Sequence, residues 1–364
     1  MSLTLKPILG CNLGCVGCYE TEIFKANGNR PDPYDVDKVL TASLAKPDEG
    51  VTLHGGEITL MPLSDLVRLI DGLQAGGKRV TMQTNGTLLR EKLRRELQSR
   101  KVHVGVSLNG PDDLNNDRLA YPHTTSPDAR LIEATRRTTA RILANVEAAL
   151  QEGLELSIIT VLAEGNAGTS ERLERLITWA ADLSDRGIKS WRWNLKFGSP
   201  DVLSVERAVQ VYDTLMTATW ASKKRAWDPF REWTTNLATN ESLAPCWMAP
   251  CDPYHTDAVH AIFGDGSEGN CLRTAADGVA YQRHSDRVFL RQMILKQIEQ
   301  EQGGCKDCEY WAYCHGGCPA ETQDSDWRNR TQWCEVIKHS YRRIEDTLSG
   351  LDPRWKRVER VELA

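Results

Sequence analysis

The distribution of cysteine constrains this chain more than any other feature. Three of its eleven cysteines lie at Cys11, Cys15 and Cys18, none falls between Cys18 and Cys246, and eight fall from Cys246 to Cys334. An odd number leaves at least one thiol outside any disulfide scheme, and tight clustering points to metal sites. The 364 residues carry a formal net charge of -5, with a pI near 6.0 and a mean hydropathy of -0.45. No apolar run approaches the roughly 18 residues of a membrane helix, and the first residues lack the apolar stretch of a signal peptide. A cytoplasmic location is expected, where thiols stay reduced. Mild acidity speaks against a nucleic-acid partner, and no membrane partner is expected.

Short apolar runs alternate with helical patterns through the first two-thirds. Strands are expected at Leu3–Leu9, Gly50–His54, Val80–Gln83, Val102–Leu108, Leu154–Leu162 and Lys189–Leu195. Helices are expected at Tyr34–Leu44 with Asp35 as cap, Ser64–Leu73 with Ser64 as cap, Leu88–Leu97, Ala134–Glu152, Ser170–Ser184 and Val205–Ala221. Strand–helix units in series imply an α/β fold with a parallel sheet, either open and doubly wound or an incomplete barrel. Catalytic groups belong at the C-terminal strand ends in both. From about Pro229 the alternation stops, and metal centres are expected to organise the rest in place of a core of its own. The expected division is a core over 1–228, a cysteine-rich domain over 229–348 and a tail over 349–364. Arg90, Lys92, Arg94 and Arg95 read as a solvated helix face.

Cys11-Asn-Leu-Gly-Cys15-Val-Gly-Cys18 follows the first expected strand. Three thiolates on a four-iron cube leave one iron open for a reacting molecule. The alternative is a zinc loop completed by a ligand from elsewhere. The triplet resembles the C-x3-C-x2-C signature of the radical S-adenosylmethionine (radical SAM) superfamily. His54-Gly55-Gly56-Glu57 looks like its GGE motif. Gln83-Thr84-Asn85-Gly86 ends strand three, and Val106-Ser107-Leu108-Asn109-Gly110-Pro111 is similar to its S-L-D-G-P segment.

The resemblance implies a partial (β/α)6 TIM barrel with a 4Fe–4S cluster on Cys11, Cys15 and Cys18. S-adenosylmethionine would chelate the open iron and be cleaved to a 5′-deoxyadenosyl radical, which takes hydrogen from an unactivated C–H bond. Gly55 and Gly56 let the backbone approach a ligand closely, and their carbonyls with the Glu57 carboxylate are expected to receive the methionine amine. Asn85, Ser107 near the ribose and Val161 at the adenine complete the expected contacts; Val161 reads equally as a core valine. Three positions depart from the family pattern. Gly17, followed by Tyr19, stands where an aromatic residue usually covers the adenine, Ile58 replaces a proline, and Asn109 replaces an aspartate.

The second constellation is Cys305-x2-Cys308-x5-Cys314-x3-Cys318, then Cys334, preceded by Cys251 and Cys271 around an expected Asp265-Gly266 hairpin. It resembles the seven-cysteine SPASM extension with two auxiliary 4Fe–4S clusters. By analogy with sulfatase-maturating relatives, Cys246, Cys251, Cys271 and Cys318 hold one, and Cys305, Cys308, Cys314 and Cys334 the other. Zinc sites are the alternative. With Cys246 included no thiol is left to donate hydrogen, as a peptide epimerase requires. Fully ligated clusters suit electron acceptance.

The expected function is therefore oxidative modification of a ribosomally made peptide, by crosslinking or C–H oxidation. The other readings are a radical dehydrogenase of a sugar or cyclitol, an epimerase if Cys246 is not a ligand, and a non-catalytic electron-transfer or zinc scaffold. Leu272 stands where sulfatase-maturating relatives carry an aspartate, which argues against formylglycine formation. Asp277 is a candidate base, or a turn residue in Asp277-Gly278. Tyr121–Arg137 reads as a lid or a solvated insertion. Arg192, Trp193 and Lys196 are candidate substrate contacts, although Trp191 and Trp193 alternate with Arg192 and read more simply as core. The expected partners are a peptide substrate, a flavodoxin- or ferredoxin-type reductant and, since the chain enters directly into strand one, a separate leader-binding protein.

Overall fold

Period-two alternation builds the first part of the chain. β1 (Ser2–Lys6), β2 (Gly50–Leu53), β3 (Arg79–Thr84), β4 (His103–Ser107), β5 (Leu156–Leu162) and β6 (Ser190–Leu195) pair in parallel in that order. Leu5, Leu53, Met82, Val104 and Leu156 stand in one register row and are fully buried. Gln83, Gly105, Ser157 and Ser190 form a neighbouring row on the opposite, polar face. Thr52 meets Thr81 at 3.0 Å there, and Ser157 meets Ser190 at 2.8 Å. Trp191 and Trp193 are buried and stack at 5.2 Å, the core reading of the two. The expected Asp265-Gly266 turn joins β7 (Val259–Phe263) to β8 (Glu268–Gly269). Asp265 Oδ1 accepts the Ser267 N–H over 2.9 Å, and Gly266 has φ +84°.

This computed structural model describes residues 2–20, 33–121, 128–198, 201–239, 251–253, 259–274, 290–322, 324 and 326–358. Two units emerge: 1–203 with 260–272, and 204–259 with 273–364. The division interleaves in sequence, where a single boundary at 228 was the expectation.

Helices of the first unit are α1 (Val36–Leu44), α2 (Leu63–Ala75), α3 (Glu91–Ser99), α4 (Ala129–Gln151) and α5 (Ser170–Asp185). Asp35 caps α1 as expected, accepting the Asp37 and Lys38 N–H groups. Ser64 does not cap α2; Pro62 holds that position and its carbonyl accepts Asp65 and Leu66. α3 starts three residues later than Leu88, because Gly86 at φ +78° opens a turn there. α4 starts five residues before Ala134, with Asp128 accepting the Leu131 N–H over 2.8 Å. Residues 129–137 of the expected lid or insertion are therefore helix.

The second unit holds α6 (Val205–Trp220), α7 (Phe230–Ala238), α8 (Leu290–Gln297), the single turn α9 (Trp311–Cys314) and α10 (Cys334–Leu351). Ser204 caps α6. Contrary to expectation this region buries a core of its own. Tyr212 meets Phe230 at 5.1 Å, Trp233 meets Tyr341 at 5.5 Å, and Tyr341 stacks on Tyr310 at 5.0 Å. Val211, Tyr212 and Leu215 on α6, with Ile337, Tyr341 and Ile344 on α10, supply buried stripes at helical spacing. Among the described residues no helix is long and apolar enough to cross a membrane.

Candidate active site and thiol clusters

Cys11, Cys15 and Cys18 lie half-buried on the loop that leaves β1. Three attachments shape that loop. Gly14–Cys15 pairs antiparallel with Arg118–Leu119, and Val16 N–H donates to the Asp117 carbonyl over 2.8 Å. Asn12 Nδ2 donates to Thr87 Oγ1 over 2.9 Å. Asn85 Nδ2 donates to Asn12 Oδ1 over 2.8 Å and lies 3.7 Å from Cys11 Sγ. Gly17 has φ +74° where Cys18 N–H turns back to the Cys15 carbonyl, a conformation that favours glycine over an aromatic residue. Tyr19 instead lays its ring 5.1 Å from the Lys6 ammonium.

Burial, with the neighbouring Cys15, pushes the Cys11 thiol up to about 12. Crowded thiols of this kind ionise readily only with a metal to take them. Among the described residues no three His, Cys, Asp or Glu side chains converge to hold a single metal ion. Cluster ligands each reach a different iron, so three thiols spread around one loop suit a four-iron cluster.

The two glycines of His54–Glu57 answer first to the chain itself. A Cβ on Gly55 would lie 2.3 Å from the Ile8 carbonyl oxygen, and one on Gly56 2.1 Å from that of Leu9. Gly56 N–H donates to Ile8 and Glu57 N–H to Gly10, each over 2.9 Å. Glu57 is 1% exposed. Its Oε1 accepts Thr59 N–H at 3.1 Å, Thr59 Oγ1 at 2.5 Å and Thr84 Oγ1 at 2.6 Å, while Oε2 accepts the Asn85 N–H. Ser107 Oγ accepts Gln83 Nε2 over 2.8 Å on the polar face. Val161, half-buried on the same face, donates its N–H to Asn109 Oδ1 over 3.1 Å.

Sequence reasoning missed two sets of residues here and gave a third, Lys196, a different place. Lys6 is 2% exposed at the end of β1. Its ammonium pairs with buried Glu20 and donates to the Cys271 carbonyl over 3.1 Å. Burial pulls its pKa down, but Glu20 and Tyr19 more than restore it, to above the usual lysine range. Asn166 donates to the Asn109 and Val161 carbonyls at 2.9 and 2.8 Å. Lys196, expected at the substrate, is buried between Asp201 at 2.6 Å and Asp117 at 3.2 Å. A lysine closing the alternating run Leu3-Thr4-Leu5-Lys6 was the one local signal.

In the second unit, Cys305, Cys308, Cys314 and Cys334 line one small cavity, together with Arg330 and Lys338. Burial, and then the neighbouring Cys334 and Cys308 thiols, push Cys305 up to about 12; Cys314 is driven up by burial and the same neighbours. Four mutually crowded thiols around one small cavity suit the expected second auxiliary set. Of the other set, Cys251 and Cys318 belong to the second unit and Cys271 to the first. Cys246 and Asp277 lie outside the described residues. Leu272 is fully buried at φ +68°, with its N–H on Asn270 Oδ1 at 2.9 Å.

A cysteine-bearing loop at the C-terminal end of β1, braced by a glycine-rich turn after β2, is the arrangement of a radical SAM core. Residues 5–177 match the radical SAM superfamily. The chain's fold is the partial TIM barrel of radical SAM enzymes of the SPASM type. A serine-type anaerobic sulfatase-maturating enzyme of Bacteroides thetaiotaomicron is 34% identical over 128 residues, which span 31% of this chain and 30% of that enzyme. The solved structure of native anSMEcpe with bound AdoMet and Cp18Cys peptide matches with a TM-score of 0.70 at 18% identity, over 96% of this chain and 99% of that one. Streptococcus suis SuiB bound to precursor peptide SuiA matches with a TM-score of 0.57 at 14% identity, over 91% of this chain and 74% of that one.

Proposed function

We propose that the protein is a cytoplasmic maturase that oxidises a ribosomally made peptide, by crosslinking or C–H oxidation, with two auxiliary 4Fe–4S clusters. The observation that supports this most is the convergence of Cys305, Cys308, Cys314 and Cys334 on one cavity in a chain with a radical SAM core. The sulfatase-maturating relative and the peptide-bound neighbours support a peptide substrate. Leu272, in place of aspartate, turns the reading away from formylglycine formation.

Cys11, Cys15 and Cys18 would hold a 4Fe–4S cluster, which when bound would supply the electron for reductive cleavage of S-adenosylmethionine. The protein's own part is to bind, orient and exclude water. The Gly55 and Gly56 carbonyls, with Glu57, receive the methionine amine. Ser107 receives the ribose, Val161 covers the adenine, and Asn85 holds the cysteine loop against them. Cys246, Cys251, Cys271 and Cys318 hold one auxiliary cluster, and Cys305, Cys308, Cys314 and Cys334 the other. Asp277 takes the substrate proton. A flavodoxin or ferredoxin supplies electrons, and a separate protein presents the leader.

The test is to incubate reconstituted enzyme with peptides encoded beside its gene, S-adenosylmethionine and reductant. Loss of two hydrogens from one peptide, with matching release of 5′-deoxyadenosine, supports the reading. Turnover on a sugar or cyclitol, with every such peptide unchanged, overturns it.

A further inference from the structure

Asn109 stands two residues past Ser107, the last residue of β4, and is 6% exposed. Its main-chain N–H donates to Asn115 Oδ1 over 2.9 Å, and its carbonyl accepts Asn166 Nδ2 over 2.9 Å. Its Oδ1 accepts the Val161 N–H over 3.1 Å. A main-chain bond from the Leu108 N–H to the Ile159 carbonyl joins β4 to β5 over 2.9 Å, and the Asn109 amide adds the next rung.

The partners of Asn109 are themselves held. Asn115 and Asn166 are both buried. Asn115 Nδ2 donates to Thr139 Oγ1 on α4 over 2.9 Å. Asn166 Nδ2 also donates to the Val161 carbonyl over 2.8 Å, and its Oδ1 accepts the Ala163 N–H over 2.9 Å. A main-chain N–H can be met only by the oxygen of an amide, so the bond from Val161 fixes which way the Asn109 side chain faces. Its Nδ2 is left as a donor in a set position. Among the described residues Nδ2 has no acceptor, yet it keeps accessible surface. A largely buried donor left open in this way is costly unless a ligand or water takes it.

The surroundings favour a ligand. Ser107 pairs in register with Ile159, and Val161 is the next residue on that face of β5. Asn109 is bonded to Val161 and follows Ser107 by two, so its amide adjoins both the residue proposed for the ribose and the residue proposed for the adenine. An aspartate, which the family pattern has at this position, presents only acceptors when ionised. The asparagine presents a donor. The ring nitrogens of adenine only accept, whereas a ribose hydroxyl can do either.

We infer that Asn109 is a specificity-determining residue whose Nδ2 donates a hydrogen bond to a ring nitrogen of the adenine of S-adenosylmethionine. The inference rests on the S-adenosylmethionine reading above. The bonds to Val161, Asn115 and Asn166 set the donor in place before the ligand arrives, so little ordering is left for binding to meet.

The test measures binding and not turnover. The full chain is reconstituted anaerobically and its iron is counted. Kd values are read by equilibrium dialysis without reductant, so that no S-adenosylmethionine is cleaved. The ligands are S-adenosylmethionine, its 1-deaza, 3-deaza and 7-deaza analogues, and its 2′-deoxy and 3′-deoxy analogues. The proteins are wild type and Asn109→Asp, which keeps an oxygen for the Val161 N–H and exchanges the donor for an acceptor.

One deaza analogue is expected to bind wild type about tenfold more weakly than S-adenosylmethionine does, the loss of one hydrogen bond from a preformed donor. Asn109→Asp is expected to weaken S-adenosylmethionine by at least as much, and to bind it and that same analogue alike. Three deaza analogues that all bind wild type within about twofold of S-adenosylmethionine overturn the inference. A deaza analogue equally disfavoured by both proteins also overturns it, because another group then reads that nitrogen. A deoxy analogue whose penalty disappears in Asn109→Asp, with the deaza analogues unaffected, overturns it in favour of a ribose contact. Failure of Asn109→Asp to fold or to hold iron overturns it too, since the retained acceptor for Val161 predicts an intact strand end. A wild type that holds its iron and binds no S-adenosylmethionine overturns the radical SAM reading itself, and this inference with it.

Discussion

The Asn85 main-chain N–H donates to Glu57 Oε2 over 2.6 Å, so the end of β3 is tied to the turn after β2 by a buried carboxylate. The Asn85 side chain carries the tie onward to Asn12, inside the cysteine loop. Glu57 thus braces the site through protein contacts before any ligand is considered.

Glu57→Ala is expected to destabilise the protein by about 3 kcal/mol, because it strands donors on Thr59, Thr84 and Asn85 in a buried place. Anaerobic urea denaturation of the reconstituted protein measures this. A loss below about 1 kcal/mol would mean that water reaches those groups.

Gly56→Ala tests the contact between the glycine turn and the cysteine loop. Its Cβ would meet the Leu9 and Gly10 carbonyl oxygens at 2.1 and 2.3 Å, and backbone cannot swing aside as a side chain can. The loop must shift, and iron should fall by about four per chain, one cluster's worth. Colorimetric iron analysis reads the loss, and EPR shows which cluster is gone.

Lys6→Met leaves Glu20 buried without its cation and should cost about 3–5 kcal/mol. Adding Glu20→Gln should return much of that, which a double-mutant cycle by denaturation would show. The pH dependence has a definite sign. Lys6 is held above the usual lysine range in the folded state, so its contribution is complete below the unfolded value and lost only as pH rises through the folded one. The difference between wild type and the Lys6→Met, Glu20→Gln double variant should stay flat over about pH 6–9; a fall within that window would contradict the pairing.

Cys308→Ala removes one of four thiols around a single cavity. The proposed ligand sets predict loss of about four irons while the Cys11–Cys18 cluster stays intact. Zinc in place of iron in the wild type, read by elemental analysis, would replace the cluster assignment with a zinc site.

What the sequence by itself determined is whatever depends on near neighbours. Asp35 capped α1 and Asp265-Gly266 turned a hairpin, each through contacts a few residues apart. Helix starts went astray where a turn or cap intervened, as at Gly86 and Asp128. Only the tertiary structure decided the roles set by distant partners. Lys6 reaches Cys271 across 265 positions, and Gly56 is glycine because Leu9 and Gly10 pass too close for a Cβ. The aromatic core between α6 and α10 comes from stripes more than a hundred residues apart. Arg291 reads in sequence as one arginine among many, and four main-chain carbonyls gather around its buried guanidinium only in the fold. The physical reason is the same in each case. Local propensity acts over one turn of chain, whereas steric exclusion, burial and charge act through space, and only the fold says which residues share it.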